Sequence, residues 1–156
     1  MSNPLVAAAA GTAVLGGGGV TIAYVAGAFE IRYENFDSYV NNALKDTHIY
    51  ATLDDAKLKT KSSDTNTTYV KALKKIVSTT GLSGVDNTLQ ESDVGNISTD
   101  SGKLTKITTK TKAWCTDRKS KKPKEKDTWW TESAIKSDED WATFQTVCLE
   151  EKPKQQ

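Results

Sequence analysis

The first charged side chain in this chain is Glu30. Residues 1–29 hold no Lys, Arg, Asp or Glu, and all 21 basic and 20 acidic residues lie beyond them. So sharp a partition divides the protein into a membrane-seeking head and a polar, Lys-rich body. The uncharged run from Pro4 to Phe29 reads PLVAAAAGTAVLGGGGVTIAYVAGAF. As an α-helix it would reach about 39 Å, enough to cross a hydrocarbon core of ~30 Å. The expectation is a transmembrane or signal-anchor helix over residues 1–29 that meets membrane lipid through residues 4–29. Gly16–Gly19 is its weak point, because each Gly costs up to ~1 kcal/mol against Ala in a helix. A bilayer offsets that cost by forcing the backbone to satisfy its own hydrogen bonds. Gly19, Ala23 and Gly27 share a spacing at which a second helix can approach closely.

A cleaved signal peptide is the rival reading. It wants Lys or Arg before the apolar core, and Met-Ser-Asn-Pro has neither, but Ala26-Gly27-Ala28 fits the small-residue cleavage pattern. Cleavage would make the body a secreted protein. Lipid attachment at the end of the apolar run needs a Cys there, and the first is Cys115. The flank Glu30, Arg32, Glu34 and Asp37 bears little on orientation, since basic residues dominate that rule. A long body behind one N-terminal segment fits an internal N-terminus and an extracellular body.

Residues 30–150 are expected to form one small exported helical domain, with 151–156 a disordered tail. The fold class expected is therefore mostly α, an apolar N-terminal helix followed by helices joined by long loops. Phe36, Val40 and Leu44 place a helical stripe over residues 34–46. Tyr69, Leu73 and Ile76 do the same over 68–80, with Lys71, Lys74 and Lys75 opposite and Gly81 as a stop. Leu104, Ile107, Thr111 and Trp114 suggest a third helix over 103–115, against the preference of its threonines. Residues 47–53 read equally as strand or turn, and 60–68, 82–102 and 117–128 as loops. Ser137 has the chemistry of an N-cap, opening a last helix that carries Trp141, Phe144 and Cys148 on one face.

Cys115 and Cys148 are the only cysteines. Outside the cell they would pair, stabilising the chain by roughly 3–4 kcal/mol in the loop-entropy description. In a reducing compartment they would be buried thiols. A bridge would bring Trp114 and Trp141 to one junction, a helical hairpin filled by aromatic rings.

No residue pattern amounts to a catalytic, cofactor or metal motif, and neither enzymatic activity nor a cofactor is expected. His48 is the only histidine. Asp46, Asp54 and Asp55 stand near it in sequence, so an enzyme would need a pocket around His48 lined by Asp54 or Asp55. Ten Lys or Arg residues fall between Lys103 and Lys126. Asp117, Glu125 and Asp127 dilute them, and no nucleic-acid fold signature accompanies them, so a nucleic-acid partner is not expected. Trp129 and Trp130, with Lys121, Lys122 and Lys124, form the candidate contact surface because adjacent aromatics sit in a polar loop.

The segments MSNPLVAAAAGTAVLGGGG at 1–19, AWC at 113–115 and Trp141 to Cys148 give the chain a wider likeness. It resembles the short uncharacterised paralogous proteins of haemotropic mycoplasmas, which carry an Ala/Gly-rich apolar opening and a Lys-rich helical body. That resemblance implies a membrane-anchored surface protein engaged in host interaction or antigenic display, with a host or surface protein as partner. It implies no catalytic residues. The alternative is a cytosolic-facing membrane anchor whose Lys-rich loop binds anionic lipid or nucleic acid.

Overall fold

Five of the six residues in Val20–Val25 are β-branched or aromatic. Such side chains lose rotamer freedom in a helix and suit a pleated surface. In the computed structural model, which describes residues 13–14, 19–25, 28–63, 67–124 and 129–154, this segment is a strand. The elements in chain order are β1 (Ala13–Val14), β2 (Val20–Val25), β3 (Ala28–Tyr33), α1 (Phe36–Ala43), β4 (His48–Tyr50), α2 (Asp55–Lys61) and α3 (Thr68–Ser78). There follow α4 (Glu91–Val94), α5 (Ser101–Lys119), β5 (Trp130–Thr131), α6 (Glu132–Ser137), α7 (Trp141–Cys148) and β6 (Leu149–Glu151).

The fold is therefore mixed α and β, and the mostly α expectation is overturned. One antiparallel sheet has the order β1-β2-β3-β5, and a second pairs β4 with β6. Among the described residues no helix is long and apolar enough to cross a membrane. The transmembrane or signal-anchor helix fails where the uncharged stretch is described, because residues 20–25 pair with 28–33 in a hairpin from Val20↔Tyr33 to Val25↔Ala28. The small-residue spacing for helix packing goes with it, since Ala23 lies on β2 and Gly27 lies outside the described residues. Gly19 has a local task instead. Its φ is +63°, and a Cβ there would stand 3.1 Å from the Ser38 Cβ and 3.0 Å from a Glu34 carboxylate oxygen. Its carbonyl accepts from Glu34 N at 2.7 Å, so the chain enters β2 pressed against the start of α1.

The helices expected over 34–46, 68–80 and 103–115 are α1, α3 and α5, each opened by a side chain able to hold orphan amides. Asn35 accepts from Ser38 N at 2.8 Å, and the Ser38 hydroxyl accepts from Asn35 N in return. Thr67 caps α3 and Asp100 caps α5. Ser137 does not open the last helix. Thr131 caps a short α6 by accepting from Ala134 N, α6 ends at Ser137, and Asp140 is the N-cap of α7. The tail is also shorter than expected, for Glu151 belongs to β6 and Lys152 N donates to Thr47 O at 2.8 Å.

The core runs between α1, α3, α5 and α7 and holds Phe36, Tyr39, Leu73, Ile76, Ile107, Trp114 and Phe144. Phe36 is its hub. Its ring lies 5.1 Å from Trp141, 5.4 Å from Phe144 and 5.9 Å from Trp130. The edge-to-face contacts with Trp141 and Phe144 suit the ring quadrupoles. Tyr33 reaches the same cluster through Tyr39 at 4.9 Å, tying the sheet to the helices.

Candidate functional site

The expected contact surface is divided between buried, half-buried and exposed residues. Trp130 pairs with Tyr33 across β5 and β3 and is 7% exposed. Its indole Nε1 donates to Lys121 O at 3.0 Å. Lys121 turns its ammonium inward, 2.6 Å from Asp138 Oδ1 and 2.7 Å from Asp140 Oδ2. Lys75 stands 3.4 Å from the other Asp140 oxygen. Arg118 Nε lies 2.8 Å from Asp140 Oδ2, a charge contact without hydrogen-bond alignment. Burial pushes the Asp140 carboxyl up, but the Lys121 hydrogen bond and the charges of Lys121, Arg118 and Lys75 hold it below the ordinary carboxylate value. Lys122 and Lys124 are exposed, and each is paired, with Glu34 at 3.1 Å and with Glu139. Trp129 is half-buried. Adjacent aromatics in a polar segment thus mark a seam where α5, β5 and α7 meet, and a surface reading is corrected for Trp130 by its burial and for Lys121 by its pairing.

Cys115 on α5 and Cys148 at the end of α7 lie at disulfide distance, with 5.7 Å between their Cα atoms. Trp114 and Trp141 lie in the one buried cluster that also holds both cysteines. Trp141 packs on Phe36, Tyr39 and Phe144, while Trp114 lies under the Arg118 guanidinium at 5.3 Å.

His48 stands on β4, opposite Glu151, in an open groove lined by Asp46, Thr47, Glu151, Lys152 and Lys154. Its Nδ1 is 2.8 Å from the Thr47 hydroxyl. Asp54 is occupied as the α2 N-cap, accepting from Lys57 N, and Asp55 accepts from the Thr105 hydroxyl. Neither lines the His48 groove, so the His/Asp arrangement that catalysis would need does not assemble from them.

A different surface stands out. Along β3, Phe29, Ile31 and Tyr33 alternate to one face, with Glu30 and Arg32 on the other. Exposure on the apolar face rises outward, from 5% at Tyr33 to 52% at Ile31 and 76% at Phe29. The three residues line a shallow groove together with Glu30 and with Thr131, Glu132, Ser133 and Lys136 of β5 and α6. The Glu30 and Arg32 side chains pair with each other at 3.0 Å. The period-two alternation of AFEIRY carries this face in the sequence, but the helical reading of the uncharged run ends at Phe29 and cuts the pattern in two.

Comparison with protein-family models, with curated proteins and with solved structures found no match. The site therefore rests on its own geometry.

Proposed function

We propose that this protein is a non-enzymatic interaction module held at a membrane by its uncharged N-terminal stretch, with its charged body on the outer face of the cell. The observation that carries the reading is the lack of any charged residue before Glu30, and the pairing of that stretch with the body bears on whether the two stay together. β2 lies within the uncharged residues and pairs along its whole length with β3, whose Tyr33 sits in the core. Cleavage at Ala26-Gly27-Ala28 would strip β3 of that partner, so the reading keeps the stretch attached. The disulfide-distance pair Cys115 and Cys148 fits an oxidising exterior. The likeness to the mycoplasma surface proteins runs the same way and suggests a host or surface protein as the body's partner.

The alternative, a Lys-rich loop gripping anionic lipid or nucleic acid in the cytosol, gains nothing from Lys121, Lys122 and Lys124, whose charges already meet Asp138, Asp140, Glu34 and Glu139.

Labelling intact cells with a membrane-impermeant amine-reactive biotin tests the reading. Lysines suit the purpose because Lys59, Lys71 and Lys112 are exposed, whereas both cysteines are buried. The expected result is biotin on the body of a protein that stays with the membrane fraction after a carbonate wash. Labelling only after lysis would place the body in the cytosol, and recovery in the soluble fraction would remove the anchor.

A further inference from the structure

We draw no further inference here: the strongest candidate, the exposed apolar face of β3 beside α6, lines one groove with Glu30, Glu132 and Lys136, and nothing in the structure shows what covers it.

Discussion

At the scale of single residues, Lys110 shows how an internal charge can be placed without a carboxylate partner. It sits on α5 with no exposed surface, and its ammonium donates to Val77 O at 2.6 Å near the end of α3. The carbonyls at a helix C-terminus are orphaned and carry partial negative charge, which suits a cation there. Desolvation still outweighs the distant pull of Asp86 and lowers the Lys110 pKa below its ordinary value. Lys110→Ala removes the buried stem and leaves the Val77 carbonyl unsatisfied, and should cost about 3 kcal/mol. Lys110→Met restores the stem but not the donor and should leave a deficit of about 1 kcal/mol. Urea unfolding of the three proteins measures both, and an alanine variant no weaker than the methionine one would refute the packing half of the argument. Nothing in the local spacing marks Lys110 as internal. It follows a threonine pair in a segment whose other lysines are solvated, and only the approach of α3 gives it an acceptor.

At the scale of elements, Asp140 joins three of them. It is the N-cap residue of α7, yet its carboxylate serves Lys121 beyond the end of α5 and faces Lys75 of α3. Asp140→Asn should cost about 2 kcal/mol at neutral pH, since it breaks charge-assisted bonds at a buried site. The native carboxyl titrates below its ordinary 3.8. Its contribution is therefore present above that value and is lost as pH falls through the lower native one. The stability gap between the two proteins, followed by chemical denaturation from pH 7 downward, should hold until about pH 4 and then close. A gap independent of pH would mean that Asp140 acts through shape alone. The sequence carries the acidic run SDED, which reads as a helix start. That Asp138 and Asp140 instead answer Lys121 depends on the meeting of α5 with α6 and α7.

At the scale of the whole molecule, the Cys115–Cys148 pair spans a sequence separation of 33 and closes α5, β5, α6 and α7 into one loop. Replacing both cysteines with serine should lower stability by about 3–4 kcal/mol through the unfolded chain's recovered freedom. A non-reducing urea titration that gives coincident curves would mean the pair carries no constraint. The charge partition, the stripes of α1, α3 and α5, and the existence of two cysteines able to pair were all legible from residue types and their spacing, because each is local. The strands were not. VTIAYV is compatible with a helix until AFEIRY lies beside it, and a strand's energy comes from a partner that its own spacing does not name. Trp130 and Lys121 were misjudged for the same reason, since the residues that bury and neutralise them, Tyr33, Phe36, Asp138 and Asp140, come from other elements. What the sequence by itself determined is where charge begins, which faces of three helices are apolar and which residues can be bridged. Only the tertiary structure decided that the end of the uncharged stretch is a hairpin, because strand pairing and burial are properties of neighbours brought together by folding.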